Sequence, residues 1–320
     1  MASKKINVSE LDFDAIKSSL KDFMKGQETF KDYDFDGSGL SVLLDVLAYN
    51  THYNAIYNNL SINEMFLDSA RKRNSVVSLA KTLGYTPKSA TCSKASVDLL
   101  INGDNESPDY ITLSEYSPFT TSVNDKTYTF YNTSAYTVTK NSKNVYFFDN
   151  VDIKEGVPLS YTYTAGVGTK YIIPNPNVDI STISVSVYET VNSSKVTYYT
   201  NVDTIVNVTD SSNIYWVKEI DDGLYELTFG DGSIGTALQT GNIVKISYMV
   251  SSLSEPNGAR TFKYSGSAIF SGSNTPIVTT NQYASLGSSP ESTDLIRFNA
   301  PRSYSAQDRA VTIDDYKSLI

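Results

Sequence analysis

"LAKTLGYTPKSATCSKASVDLLIN", residues 79–102, is where the chain changes period. On its left, Val76, Ala80 and Leu83 fall at helical spacing, and Gly84 followed by Pro87 is a helix stop. On its right, from Lys94, "KASVDLLIN" alternates with the period of two that belongs to a strand. Helices before this joint and strands after it make an α+β protein. The expected order is an N-terminal helical interaction segment, an antiparallel β-rich region and an extended crossing segment.

Working back from the joint, Ser61 and Glu64 have the spacing of a capping box, as do Ser9 and Asp12. Phe13, Ile16, Leu20 and Phe23 follow the latter pair on one helical face. A second helix carries Leu40, Leu43, Leu44 and Leu47 and runs on through "AYNTHYNAIYNNL". Just before it, "KDYDFDGSGLSVLLD", residues 31–45, imitates the start of a calcium loop, with Asp32, Asp34, Asp36 and then the turn residue Gly37. The twelfth position, which should be a bidentate Glu, is Leu43, so the segment reads instead as a helix start capped by Asp36 or Ser38.

Working forward, strands are expected at "KTYTFYN", "AYTVTK", "NVYFFDN", "LSYTYTA", "KYIIPN", "ISVSVYE", "KVTYYTN" and "NIVKISYMV". "IYWVKEIDDGLYELTFGDG", 214–232, is a hairpin turning at Asp222-Gly223. Residues 251–290, rich in Gly, Ser, Thr and Asn, read as an arm. The domains expected are 1–90, a helical bundle; 91–255, β-rich; and 256–320, the arm and the start of a further domain. Thr312 and Asp315 open a helix that would continue past Ile320 in a longer polypeptide.

Composition removes several function classes. Among 320 residues the net charge is −9 with no basic tract, which argues against nucleic acid as a partner. No apolar run approaches a membrane span, and no signal peptide opens the chain. A single cysteine, Cys92, rules out an internal disulfide framework. "GDGSIG", 230–235, matches a dinucleotide motif by letter, but a strand follows it where phosphate binding needs a helix. Gly230, Asp231 and Gly232 are therefore turn residues. His52 is the only histidine, too few for zinc and poorly placed for a nucleophile system. No catalytic residue, cofactor or metal is expected.

The informative element is the helix from Leu40 to Asn59. Tyr49, Tyr53 and Tyr57 form one stripe at i, i+4, i+8, and Asn50, Asn54 and Asn58 form another beside it. Asn is a mediocre helix former, so three in one helix need a reason. One reading is a helix lying on its own β-domain with polar groups at the rim. The other, preferred here, is a helix shared between chains, with tyrosine anchors and asparagines that set register.

These features resemble one family. "YDFDGSGLSVLLDVLAYNTHYNAIYNNLSINEMFLDSA" is similar to the opening helices of the baseplate wedge proteins of T-even-like contractile phages, members of the baseplate J-like family. "FGDGSIGTALQTGNIVKISYMV" resembles its core block, and "APRSYSAQDRAVTIDDYKSLI" the next one, with Ala300, Pro301, Arg302, Arg309, Val311 and Tyr316 in matching places. "SSLSEPNGA" departs from it, lacking a glycine before Asn257-Gly258. The resemblance implies a structural virion protein assembled in the host cytoplasm. It would pair with a second copy and with other wedge proteins, a sheath-initiating subunit included, in a ring around the tail hub that rearranges when the sheath contracts. The alternative from the residues is a host-recognition adhesin or carbohydrate-binding β-protein, since Tyr, Thr and Asn also suit sugars.

Overall fold

The structure, a computed structural model, describes residues 12–25, 38–202, 208–220, 223–270 and 275–306. Asp32, Asp34, Asp36, Gly37, Asp222, the Ser9 cap and the helix expected at Thr312 lie outside these residues. The chain forms two compact units, a helical one with α1 (Phe13–Lys25), α2 (Gly39–Asn63), α3 (Arg73–Thr82) and α4 (Thr293–Ala306) from Ile296, and a β unit, Thr86–Leu295.

In the helical unit, Ser38 is the N-cap of α2, its side chain accepting the Ser41 N–H at 3.0 Å. The expected helix start is thus formed at Ser38, and the carboxylates of the calcium-loop reading lie outside the described residues. The expected capping box at Ser61 is not there, because α2 runs through Ser61 to Asn63. Glu64 instead turns its carboxylate toward α3, accepting from the N–H groups of Arg71 at 2.8 Å and Lys72 at 3.2 Å. Lys72, the N-cap of α3, has no side chain able to do this, so a carboxylate from the preceding helix end satisfies the orphan amides. A hydrogen bond from Ser75, then the Arg71 amide, holds the Glu64 carboxyl below its usual range.

α3 ends in a Schellman motif. Tyr85 N–H donates to Ala80 O at 3.0 Å and Gly84 N–H to Lys81 O at 2.9 Å, with Gly84 at φ 78°. Val76, Val77 and Ala80 on α3 then pack with Ala70 and, from α4, Ile296 and Ala300. Composition gave no hint of α4, which returns the chain to the helical unit.

Among its described residues the β unit holds three sheets. With β1 (Lys94–Asn102), β3 (Pro118–Val123), β4 (Lys126–Asn132), β6 (Val145–Glu155), β14 (Lys263–Tyr264) and β15 (Ile277–Ser285), the first has the order β14-β3-β4-β6-β1-β15. Its buried face carries Val97, Leu99, Phe119, Phe130, Tyr146 and Phe148. Residues of the expected arm thus supply β14 and β15, the latter paired along β1. β2 (Tyr110–Leu113) and β5 (Tyr136–Thr139) form a small second sheet.

The third sheet takes β7 (Val157–Thr164), β8 (Tyr171–Ile173), β9 (Val178–Tyr188), β10 (Val196–Asn201), β11 (Ile214–Glu219), β12 (Tyr225–Phe229) and β13 (Ile243–Val250) in the order β7-β13-β9-β10-β11-β12-β8. Pairing is antiparallel except between β10 and β11. The 214–229 segment is two paired strands, as expected, with Gly223 at φ 70° between them. Tyrosine is a core residue here. Tyr171, Tyr199 and Tyr215 surround the Phe229 ring at 5.0, 5.6 and 6.4 Å. Their relatives keep the hydroxyl satisfied: Tyr248 donates to Asn175 at 2.5 Å and Tyr163 to the Ile172 carbonyl.

The chain passes from β6 to β7 at Gly156, where a Cβ would meet the Val250 carbonyl oxygen at 2.7 Å. Beside it, buried Glu155 accepts from Ser252 N–H at 3.1 Å and Ser251 Oγ at 3.4 Å. Burial raises its carboxyl above the usual range; these hydrogen bonds oppose the shift, and the Glu255 charge adds to it. Folded Glu155 therefore holds its proton more tightly than the unfolded chain does. Its contribution to stability is complete below the ordinary glutamate value and is lost as pH rises through the raised one. Glu155→Gln should remove this dependence. Thermal denaturation across pH should show the variant gaining on the parent as pH rises.

Candidate interaction face

α2 has a buried side and an open side. Ser41, Leu44 and Ala48 are its buried residues, Ile16 is that of α1, and the two helices pack on each other. Lys17 Nζ lies 2.6 Å from Asp45 Oδ1 across this contact. Of the expected interface residues, Ile16 and Leu44 are thus enclosed within the chain, Phe13 and Leu20 are half-buried, and Phe23 is exposed.

The opposite side of α2 carries Val42, Leu43, Val46, Leu47, Tyr49, Tyr53, Tyr57 and Leu60, each 40–61% exposed. In the 25 residues of α2 the only charged side chain is Asp45, and Lys17 pairs with it. A solvated helix face is normally charged, so an uncharged apolar one of this length is the composition of an interface centre.

The tyrosines form a ladder, with ring centroids 4.5 Å apart between Tyr49 and Tyr53 and 6.2 Å between Tyr53 and Tyr57. A hydrogen bond with Tyr53, then burial, pushes the Tyr49 hydroxyl up. Within the chain the asparagine stripe makes one hydrogen bond of its own. Asn54 Nδ2 donates to Asn50 Oδ1 at 3.1 Å along the helix, while Asn58 is exposed. This bond uses one amide N–H of Asn54 and one lone pair of Asn50, and the remaining donors and acceptors of the two amides face outward on that stripe. His52 sits edge-on to Tyr53 at 6.2 Å, a packing position.

The Gly-rich motif is a closed turn. Asp231 Oδ1 accepts from Ser233 and Ile234 N–H at 2.8 and 2.9 Å, which lowers its carboxyl. Gly232 N–H donates to Gly235 O at 3.0 Å, and Gly230 bridges to Ala237. The amides that a phosphate would need are spent inside the turn. The Cys92 thiol is buried and pushed well up, by burial first and by the Asp179 and Glu155 charges next, the reverse of an activated nucleophile. No group of three or more His, Cys, Asp or Glu residues able to hold a metal ion occurs among the described residues. No described helix is long and apolar enough to cross a membrane.

Sequence reasoning found the tyrosine stripe but missed Val42, Val46 and Leu60. Their signal was the absence of charge along α2, legible without any structure.

Residues 12–85 match the family described as "Baseplate wedge protein gp6-like, helical domain". Residues 160–257 match "Bacteriophage baseplate wedge protein gp6, third domain". The chain is 27% identical over 336 residues to the baseplate wedge protein gp6 of Enterobacteria phage T4, an alignment covering 96% of this chain. It spans about half, 49%, of that relative's length. Among solved structures, the baseplate of the anti-feeding prophage is similar at 10% identity, over 93% of this chain and 61% of that one. The TM-score of 0.29 is too low for that likeness to carry an inference.

Proposed function

We infer that this chain, which belongs to the gp6-like baseplate wedge proteins, is a structural subunit of a contractile-tail baseplate, carried in the virion and assembled in the host cytoplasm. The observation that carries the mechanism is the uncharged, tyrosine-lined outer side of α2. Eight large apolar side chains in water oppose solubility, and covering them supplies the driving force for association. The occupant is a helical bundle of a second copy of this chain and a further wedge protein, with a sheath-initiating subunit among the neighbours.

The β unit serves as a stiff body within the ring. Its two cores of interlocked aromatic rings suit that load-transmitting part. In this reading the protein performs no covalent chemistry. Force and geometry pass through it when the ring rearranges around the hub on sheath contraction.

The test is co-expression of the chain with the other tail proteins of its phage, followed by affinity capture and native mass spectrometry. A complex holding two copies of this chain and at least one other wedge protein is expected. A chain that stays monomeric beside every tail protein would overturn the reading.

A further inference from the structure

A second feature lies in the β unit, apart from α2. The loop 114–117, the end of β14 and the turn after it enclose an open cavity of about 320 Å³, at the small end of ligand sites. Glu115, Tyr116 and Tyr264 line it, with Ser114, Ser117 and Ser267.

The loop is built with care. Tyr116 has φ 59°, in the left-handed region that a bulky side chain rarely takes. It is held there by Asn132, which is fully buried. Asn132 Oδ1 accepts from Ser117 N–H at 2.7 Å, and its Nδ2 donates to the Ser114 and Ser134 carbonyls, both at 2.8 Å. Tyr116 N–H donates to the Asn132 carbonyl at 2.9 Å. Strain fixed by a satisfied buried amide is the pattern of a preset site. On the other wall, Tyr264 packs edge-on against Phe119 at 5.5 Å and donates its hydroxyl to Ser267 O at 2.9 Å. A Cβ on Gly266 would lie 2.5 Å from that hydroxyl, so only glycine permits this placement.

The lining chemistry selects the ligand class. It has two aromatic rings, one carboxylate and several hydroxyls, and none of its lining residues is cationic. An oxyanion would find no cation, and an apolar ligand would cover the exposed Glu115 carboxylate and the Ser114 and Ser267 hydroxyls without bonding them, the Ser117 hydroxyl being already given to the Ser114 carbonyl at 2.8 Å. A sugar offers an apolar C–H face for a ring, with hydroxyls that both donate and accept. We propose that this pocket binds one hexose-sized residue of a glycan, giving the subunit a saccharide contact beside its role in assembly.

The test titrates the whole chain with glucose, galactose and N-acetylglucosamine, by saturation-transfer NMR and calorimetry. At least one of them should bind saturably. Glu115→Gln and Tyr116→Gly should each weaken it by about tenfold or more. Tyr116→Gly should still fold, because glycine takes the left-handed conformation without strain. Loss of binding in Glu115→Gln alone sustains the proposal if the other variant does not fold. The proposal is overturned if no sugar saturates, if both variants bind as the parent does, or if choline saturates the pocket in their place. The wedge reading rests on α2 and survives any of these results.

Discussion

Alanine at both Tyr53 and Asn54 is expected to abolish capture of the partner wedge protein while leaving the isolated chain folded. Tyr53 stands in the middle of the ladder, 40% exposed, between Tyr49 and Tyr57. Within the chain it has ring contacts worth about 1 kcal/mol beyond burial. Asn54 contributes one exposed bond to Asn50, and alanine there improves helix propensity by roughly 0.5 kcal/mol. Folding therefore loses little. Truncating an anchor tyrosine at the centre of an interface costs about 2 kcal/mol or more, roughly thirtyfold in affinity. Native mass spectrometry and pull-down read the assembly, and circular dichroism reads the fold. Complexes that form as before would mean that the ladder does not face a partner.

Gly230→Ala should lower stability by about 3 kcal/mol, the upper end for forcing extra atoms into a packed site. A Cβ there would fall 2.3 Å from the Gly235 carbonyl carbon, 2.5 Å from its oxygen and 2.6 Å from Ile234 O. All three are main-chain atoms, so no rotamer change relieves the collision. The turn cannot widen cheaply either, since two bonds to Asp231 and one between Gly232 and Gly235 hold it. In a unit of this size such a loss lowers the melting point by roughly 10 °C. Gly232→Ala is the comparison. Its Cβ meets only Ala237 Cβ at 3.7 Å, so the left-handed φ of 90° is the sole penalty, about 1 kcal/mol. Equal melting points for the two variants would show that backbone approach is not what fixes glycine at 230.

The period change near residue 90 told α from β because it reports local geometry: a side chain repeats every 3.6 residues on a helix and every two on a strand. For the same reason β1 and β4 fall on the segments expected of them, and Gly84 ends α3 through a left-handed turn that glycine alone takes freely. The resemblance to wedge proteins was carried by long spaced blocks that local reasoning could quote but not explain. The turn chemistry of 230–235 explains one of them.

What depends on partners distant in the chain was not legible. β15 alternates polar residues and looks like an arm until β1 pairs with it, because an edge strand gains its hydrogen bonds from a neighbour 180 residues away. Glu64 looks like a cap for the wrong helix, since a carboxylate reaches whichever orphan amides the fold brings near. Tyrosines proved to be divided between core and surface, and only the tertiary structure could separate Tyr215, buried around Phe229, from Tyr53, exposed on α2. Sequence fixes which residues can bury a ring. Packing decides which of them do so within the chain and which are left for another molecule, because burial is a property of the whole surface and not of the spacing along one element.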